Sequence, residues 1–309
     1  MPIPLLHLSL KSKLHISNND NTHHTRQGDG TIIVTPTPES SQSGTIIICH
    51  GLGDTSEGFL DVAQHLSKHL PHVKFILPTA PTQRVTMNMG MSMPSWYDIK
   101  GLDKRSNEYC DGIDASRQRI MDIIHGEMSM GIKRNRIILA GFSQGGALSL
   151  YTGMQLPEGD GGSEPPPLAG IIIMSGYLPH ASAFNITRGL ETTPIFHGHG
   201  TSDPLVRLEN ANESKATVME RGATEYTLKT YTGLAHSVNP TEIADVLAFV
   251  QRVLPPNDEC KIKLKDPGEM SIKELKSAIA KAGLGRQAVG LMEKKEFVDL
   301  VRQHREGKL

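Results

Sequence analysis

Long hydrophobic runs, excess charge and cysteine are all scarce in this chain of 309 residues. No apolar run approaches the roughly 20 residues that a spanning helix requires, so we expect no transmembrane segment. The net charge of −1 and the hydrophobic content of 38% are typical of a globular protein and argue against nucleic-acid binding by the main domain. The cysteines Cys49, Cys110 and Cys260 are odd in number and widely spaced, which argues against a disulfide framework and favours a reducing, cytoplasmic location.

The N-terminus also lacks the features of a secretory signal. Its apolar stretch is short, is broken by two prolines and has no small-residue cleavage pattern after it. No acidic residue precedes Asp20, whereas Lys11 and Lys13 are present, so a weak organelle transit peptide stays open as an alternative. Residues 15–30 are polar and aperiodic, and we expect residues 1–30 to form a mobile tail.

The sequence GFSQG at residues 141–145 carries the clearest chemical signal. An apolar run at 136–140 precedes it, and a helix-forming stretch at 147–151 follows it. A G-x-S-x-G pentapeptide at a strand-to-helix turn is the nucleophile elbow of α/β-hydrolases, where a strained turn lifts the serine hydroxyl clear of the sheet. Such a pentapeptide also arises by chance, but the flanking strand and helix favour Ser143 as a nucleophile.

Short β-rich runs alternate with helical patterns through most of the chain. This alternation predicts an α/β fold of the α/β-hydrolase type, with a mostly parallel central sheet, helices on both faces and a small C-terminal helical appendage. The predicted strands cover 31–34, 45–49, 73–77, 136–140, 169–174, 193–197 and 225–231, and the predicted helices cover 57–69, 112–130, 145–154, 206–221 and 240–253.

Changes in composition divide the chain into parts. Proline and glycine at 156–167 predict a surface loop, and a pair of prolines ends the main domain. We predict a hydrolase domain at 31–256, a linker at 257–269 and a two-helix module at 270–309. From residue 261 onwards the chain has twelve Lys and Arg against seven Asp and Glu, whereas the preceding part is net acidic.

The C-terminal module shows clear helix signals. Ser271 and Glu274 form a capping-box pattern that opens one helix, and Gly283 ends it. A second helix is predicted from about 293 to 305. Because two short helices bury little apolar surface, they must pack on each other or on the hydrolase body.

A serine nucleophile needs a base, and the base needs an acid that orients it. In α/β-hydrolases the Asp and then the His follow the serine along the chain. Asp203 follows a predicted strand end and a glycine turn, and this position favours catalysis over the alternative function of a helix N-cap. His236 is selected among 14 histidines because it follows the last predicted strand. We therefore expect Ser143, Asp203 and His236 to form a catalytic triad.

Acyl transfer also needs two N–H groups that stabilise the oxyanion. One is expected from Gln144, the residue after the nucleophile, and the other from the loop after an early central strand. That loop reads HGLGD at residues 50–54, and its glycines let the backbone approach a substrate. We therefore expect the second N–H to be that of Leu52.

His197 and His199 form an H-x-H pair, which is a fragment found in metal sites. On a strand, both side chains would face the same side. No further histidine or carboxylate occurs with ligand spacing, so we expect no metal site. The predicted acyl transfer needs no cofactor.

Methionines recur at every second position before a PSWYD sequence, from Met87 through Met89 and Met91 to residue 93. This spacing predicts an extended segment that packs one face on the core. It is also compatible with a flexible apolar wall for an acyl chain, because methionine adapts to irregular shapes. With these methionines we expect Trp96 and Tyr177 to bind substrate.

Together these residues resemble the acyl-protein thioesterase and lysophospholipase family of carboxylesterases. The resemblance spans about residues 42–255. The matching pieces occur in order: HGLGD at 50–54, the stretch from Ala80 to Asp98, GFSQGG at 141–146, GTSDPLV at 200–206 and GLAH at 233–236.

The resemblance implies a cytosolic serine hydrolase that cleaves fatty-acyl thioesters on protein cysteines, acyl esters of lysophospholipids, or both. It implies that Ser143 is the nucleophile, His236 the base and Asp203 its orienting acid. The family's oxyanion positions match Leu52 and Gln144. Such substrates would bring peripheral membrane contact, although no cysteine lies near the N-terminus to carry the lipid that some relatives have.

The C-terminal helices lie outside this resemblance and are similar to a small SAP-like module of the ARMET type. Such modules bind nucleic acid or protein, and a charged packing appendage is the alternative, so the partner is left open. Two other functions also stay open for the whole chain. One is a general short-chain carboxylesterase with the same triad. The other is a catalytically weak scaffold that binds through the C-terminal module.

Overall fold

The computed structural model describes residues 23–103, 106–157 and 166–309, and its centre is an eight-stranded sheet. The strand order is β1-β2-β4-β3-β7-β8-β9-β10, and β5 and β6 form a separate hairpin. The strands are β1 (His23–Arg26), β2 (Ile32–Thr35), β3 (Gly44–Cys49), β4 (Val73–Leu77), β5 (Thr82–Val85), β6 (Met91–Pro94), β7 (Ile137–Phe142), β8 (Gly170–Met174), β9 (Ile195–Gly200) and β10 (Tyr226–Tyr231).

The sheet is parallel from β4 to β10, and only the β1–β2 and β2–β4 pairs are antiparallel. Strands β3, β7, β8 and β9 are buried at every position. The apolar, isoleucine-containing sequences of β3, β7 and β8 fit this burial, because both faces of a central strand are covered. Cys49 pairs with Gly141, and Phe142 pairs with Met174. The carboxyl ends of these strands therefore meet at one edge of the sheet, where α/β folds bind ligands.

Helices cover both faces of the sheet, so the predicted fold class is confirmed. The most buried helix is α3, in which every residue is buried. Two apolar cores flank the sheet, one on each side. The helices are α1 (Leu60–His69), α2 (Ile113–Ser129), α3 (Gln144–Gly153), α4 (Leu208–Glu220), α5 (Pro240–Val253), α6 (Ile272–Lys281) and α7 (Lys294–Arg305). Among the described residues, no helix combines the length and apolar character needed to cross a membrane.

Three strands were missed by the sequence analysis. Strand β1 lies inside the segment expected to be a mobile tail, where its polar residues pair with β2 at the sheet edge and need no apolar alternation. The β5–β6 hairpin was also missed, because each strand has four residues and β5 is largely polar. The rest of the predicted tail, residues 1–22, and most of the predicted 156–167 loop lie outside the described residues.

The two C-terminal helices have a small apolar core of their own, which includes Leu275, Phe297 and Val301. The capping box of Ser271 and Glu274 is present at the start of α6. The module also touches the hydrolase body, since Arg305 lies 3.4 Å from the Glu39 carboxylate.

Part of the predicted linker at 257–269 packs against the hydrolase domain. Ile262 is buried in the core between the sheet and α3, and its backbone N–H donates to the Gln42 carbonyl at 2.9 Å. Leu264 packs against the same core. The hydrolase body therefore continues through residue 264, beyond the expected boundary at 256.

Candidate active site

Ser143 occupies the sharp turn between β7, which ends at Phe142, and α3, which begins at Gln144. Its backbone has φ 52° and ψ −119°, a conformation that is strained for a residue with a side chain. The neighbouring glycines are required by close backbone contacts. A Cβ on Gly141 would overlap the Gly145 peptide, and a Cβ on Gly145 would overlap the Cys49 carbonyl. The packing of α3 against β3 and β7 thus holds Ser143 in its strained turn.

The side chains of Ser143, His236 and Asp203 form a continuous hydrogen-bonded chain. Ser143 Oγ lies 2.9 Å from His236 Nε2, and His236 Nδ1 lies 2.7 Å from Asp203 Oδ2. The first two of these residues are 93 positions apart in sequence, and the structure brings them together at the carboxyl edge of the sheet. This is the geometry of a nucleophile, a general base and an orienting acid.

The carboxylate of Asp203 is held by the turn that follows it. Its Oδ1 accepts hydrogen bonds from the backbone N–H groups of Leu205 and Val206, both at 2.9 Å. The N-cap of α4 is Arg207, so Asp203 does not have the alternative function of capping that helix. Its second oxygen, Oδ2, accepts the hydrogen bond from His236.

His236 lies in the loop after β10, and its ring packs on Phe142 with 4.8 Å between ring centroids. The loop approaches the end of β9 closely. A Cβ on Gly200 would overlap the Leu234 carbonyl, and that carbonyl accepts a hydrogen bond from Ser202 N–H at 3.0 Å. The glycine at position 200 therefore permits the approach that joins the base to its acid.

The loop after β3 lies beside the nucleophile. A Cβ on Gly51 would be 3.6 Å from Ser143 Cβ. His50 supports this loop from below, because its Nδ1 donates to the Gly51 carbonyl at 2.7 Å and its Nε2 accepts from Ala80 N–H at 2.9 Å. Burial lowers the pKa of His50 to about 4, so the ring is neutral at pH 7 and has one donor and one acceptor. The predicted donor Leu52 follows directly in this loop.

Gln144 begins α3, so its N–H lies at the positive end of the helix dipole. The side chain of Gln144 has a structural function that the sequence analysis missed. Its Oε1 accepts from Trp96 N–H at 3.0 Å, and its Nε2 donates to the Tyr97 carbonyl at 2.7 Å and to Ser95 Oγ at 3.0 Å. This side chain therefore joins the nucleophile elbow to the segment after the methionines. Nothing local in the sequence reveals a contact between groups almost 50 residues apart.

The methionines do not share one face, contrary to the expected alternation. A 3₁₀ turn at Thr86–Asn88 and a left-handed residue at Met89, with φ 58°, interrupt the extended conformation. As a result Met89 is 74% exposed and Met91 is 47% exposed, whereas Met87 packs against the core. The two exposed methionines lie at the end of the β5–β6 hairpin.

Trp96 does not reach the surface, contrary to the expectation that it binds substrate. It is fully buried, and its indole N–H donates to the His50 carbonyl at 2.8 Å. A buried indole N–H needs an acceptor, and here that acceptor is the His50 carbonyl. Trp96 therefore supports the loop that carries Leu52.

Tyr177 is also largely buried, and its hydroxyl lies 2.8 Å from that of Tyr97. It lines a cavity of about 620 Å³ that adjoins the turn after Asp203 through Pro204 and Leu205. Of the five residues expected to bind substrate, Tyr177 is the one that lines this cavity.

His197 and His199 point to the same buried side of β9, with 5.4 Å between their ring centroids. Within residues 23–103, 106–157 and 166–309, no group of three or more His, Cys, Asp or Glu side chains has the geometry of a metal site. The hydrogen bonds of this pair lead elsewhere, to Tyr226 and to the turn after Asp203.

Comparisons with known proteins agree with this fold. Residues 31–254 match the model of a family described as Phospholipase/Carboxylesterase. The chain is 36% identical over 241 residues to acyl-protein thioesterase 1 of Mycosarcoma maydis, covering 73% of this chain and 97% of that protein. It is 38% identical over 218 residues to acyl-protein thioesterase 1 homolog 1 of Dictyostelium discoideum, covering 70% and 93%.

Solved structures give the same result. Acyl-protein thioesterase 2 of Zea mays superposes with a TM-score of 0.61 at 27% identity, covering 72% of this chain and 98% of that one. SOBER1 of Arabidopsis thaliana superposes with a TM-score of 0.59 at 27% identity, covering 68% and 99%. The family match stops at residue 254, so the C-terminal module lies outside it.

Proposed function

Since the chain belongs to the phospholipase/carboxylesterase family, we propose that it is a serine hydrolase of fatty-acyl thioesters on S-acylated proteins, of lysophospholipid acyl esters, or of both. The curated relatives named acyl-protein thioesterase support the thioester activity. The observation that carries the proposal is the hydrogen-bonded chain from Ser143 through His236 to Asp203.

The proposed reaction begins with attack by Ser143 Oγ on the acyl carbonyl carbon while His236 Nε2 accepts the hydroxyl proton. Asp203 keeps His236 Nδ1 protonated and oriented. The carbonyl oxygen becomes an oxyanion, which the N–H groups of Leu52 and Gln144 stabilise. The tetrahedral intermediate then expels the thiol or alcohol, which takes the proton from His236.

The second half of the reaction repeats these steps with water. His236 takes a proton from water as the water oxygen attacks the acyl-enzyme carbonyl, and Ser143 leaves with that proton. The products are a fatty acid and the regenerated enzyme. The first proton transfer, from Ser143 Oγ to His236 Nε2, joins two atoms that already lie 2.9 Å apart.

The β5–β6 hairpin supplies the apolar surface for the acyl chain in this proposal. Gly53 N–H donates to the Pro94 carbonyl at 2.8 Å, so the hairpin is joined to the loop that carries Leu52. Met89 and Met91 are exposed on this hairpin, which suits a flexible alkyl chain. The same surface would provide peripheral contact with the membrane that holds an acylated substrate.

The proposed location is the cytoplasm. Cys49, Cys110 and Cys260 are all free thiols in the structure, and reduced thiols are typical of a reducing compartment.

The test is hydrolysis of a palmitoyl thioester and of lysophosphatidylcholine by the intact protein and by Ser143→Ala. We expect the substitution to lower kcat by about 10⁴- to 10⁶-fold, because the serine and the histidine act as one unit. Ser129→Ala, at an exposed serine near the end of α2, is the matched control and should retain full activity. For the intact protein, the ratio of the rate on the palmitoyl thioester to the rate on lysophosphatidylcholine ranks thioester against oxyester substrates.

Three results would contradict parts of the proposal. Near-normal activity of Ser143→Ala would refute the assignment of the nucleophile. Turnover of short esters alone, with both long-chain substrates untouched, would favour a general carboxylesterase. Inactivity of the intact protein on every ester would favour a binding protein.

A further inference from the structure

The H-x-H pair on β9 lies in the strand that leads directly to Asp203. His197 and His199 are both fully buried, with 0% of either residue accessible to solvent. Neither residue takes part in the proposed proton transfers. A buried histidine is costly unless its ring nitrogens are paired, so their partners indicate what they do.

The two rings form a chain of hydrogen bonds that starts at a tyrosine. Tyr226 Oη lies 2.8 Å from His197 Nδ1, and His197 Nε2 lies 3.3 Å from His199 Nδ1. His199 Nε2 lies 2.8 Å from the Val206 carbonyl oxygen. The chain therefore runs from β10 across β9 to the turn that holds Asp203.

The direction of this chain follows from its last acceptor. A carbonyl oxygen only accepts, so His199 Nε2 carries the proton and His199 Nδ1 accepts from His197 Nε2–H. His197 Nδ1 is then the acceptor for the Tyr226 hydroxyl. Burial lowers the pKa of His199, and it lowers that of His197 further, with the Gly176 carbonyl opposing. Both rings are therefore neutral at pH 7, each with one N–H, as this direction requires.

The end of the chain contacts the Asp203 turn twice. Val206 accepts from His199 through its carbonyl and donates through its N–H to Asp203 Oδ1 at 2.9 Å. His199 Nε2 also lies 3.7 Å from Asp203 Oδ2, the oxygen that accepts from His236. The imidazole of His199 thus limits movement of both the turn and the carboxylate.

We propose that His199, oriented by His197 and Tyr226, is a positioning residue that holds Asp203 in the geometry needed to orient His236. The inference rests on the proposed function, because it assigns these residues to the same triad. It also explains why an H-x-H pair occurs on β9 without further metal ligands among the described residues.

The test compares His199→Leu and His199→Gln with the intact protein in steady-state hydrolysis of the palmitoyl thioester. We expect His199→Leu to lower kcat by about 10- to 100-fold with KM changed less than about twofold, because Asp203 is misplaced while substrate contacts are retained. His199→Gln keeps an amide N–H that can reach the Val206 carbonyl, so it should recover most of kcat. Tyr226→Phe should lower kcat about 2- to 10-fold.

His72→Leu is the matched control for the loss of a buried histidine. Its Nε2 also donates to a backbone carbonyl, that of Leu254, at 2.9 Å, and His72 directly precedes β4, at the opposite end of the parallel strands from the triad. This variant should lower Tm and leave kcat unchanged, because the bond it removes is remote from the triad. Each assay is run at least 10 degrees below the Tm of the variant, as an approximate margin.

A double-mutant cycle separates positioning from general structural support. In the Asp203→Asn background, His199→Leu should have little further effect on kcat, since it acts through Asp203. Two results would overturn the inference. One is a wild-type kcat in a folded His199→Leu protein. The other is an equal relative decrease in kcat when His199→Leu is introduced into the wild-type protein and into Asp203→Asn. If His199→Leu does not fold, Tyr226→Phe decides the question. An unchanged kcat in Tyr226→Phe would overturn the inference, and a reduced kcat at constant KM would support it.

The failure of this inference is distinct from the failure of the proposed function. If Ser143→Ala and Asp203→Asn lose activity while His199→Leu does not, the positioning inference alone is wrong. If Ser143→Ala retains activity, the triad assignment itself fails.

Discussion

Glu242 provides a sharp test of the packing beneath the candidate active site. This glutamate in the first turn of α5 is 0% exposed and lies against Gly198 of β9, where a Cβ would overlap its carboxyl group. Neither carboxyl oxygen has a hydrogen-bond partner of good geometry among the described residues. Burial, with a smaller contribution from the nearby Asp245 carboxylate, raises the pKa of Glu242 from 4.5 to about 8, although the Asn239 backbone amide opposes this shift.

The raised pKa determines how stability depends on pH. Between pH 4.5 and about 8 the folded protein keeps the Glu242 proton, whereas the unfolded chain releases it. Unfolding therefore releases a proton, and the free energy of unfolding falls as pH rises through this window. The limiting slope is about 1.4 kcal/mol per pH unit, so the fall from pH 6 to pH 8 is about 2 kcal/mol.

The perturbation is Glu242→Gln, which keeps the shape of the side chain and removes its titration. Urea unfolding followed by circular dichroism at pH 6, 7 and 8 gives the free energy of unfolding of both proteins. We expect the free energy of unfolding of the wild type minus that of Glu242→Gln to fall by about 2 kcal/mol from pH 6 to pH 8. The other titrating groups contribute equally to both proteins and cancel in this difference. Glu220→Gln, at an exposed glutamate on α4, should show no such change. Parallel pH profiles for wild type and Glu242→Gln would refute the reasoning.

The other predictions concern the elbow, the hairpin and the C-terminal module. Gly145→Ala should lower the free energy of unfolding, measured in urea, by about 3 kcal/mol or more, because the added Cβ would overlap backbone atoms. Gly126→Ala should raise it by about 0.5–1 kcal/mol, because a Cβ at this position in α2 meets open space and alanine favours the helix. Replacing Met89 and Met91 by serine should lower kcat/KM for palmitoyl esters about 10-fold relative to acetyl esters, because each exposed methionine contributes apolar contact. Deletion of residues 266–309 should leave kcat within about twofold of the intact protein, because the module has its own core.

Each of these predictions has a clear contrary outcome. Equal stabilities of the two glycine variants would show that the elbow tolerates movement of α3. Met292→Ser changes a methionine that is 91% exposed in the C-terminal module, so the same loss of long-chain preference there would exclude a specific function for the hairpin. Loss of hydrolysis in a folded 1–265 protein would show that the module contributes to the site.

Local sequence signals determined the main features of this protein. Short β-rich runs predicted the central strands, and a helical pattern after the last of these runs predicted α5 with the bounds observed, Pro240–Val253. The order of Ser143, Asp203 and His236 relative to strand ends was enough to predict the residues that the structure brings together. The strand and helix predictions succeeded because each depends on neighbours within a few positions.

Tertiary structure alone decided how the candidate site is supported. The Gln144 side chain, the buried Trp96 and His197 all bond to partners distant in sequence, and the partner of His197 is Tyr226 on the neighbouring strand. The two-residue spacing of the methionines gave the wrong conformation, because a turn at Met89 overrode it. Periodicity records which face of an element is apolar, whereas the identity of a hydrogen-bond partner depends on where the chain returns in space.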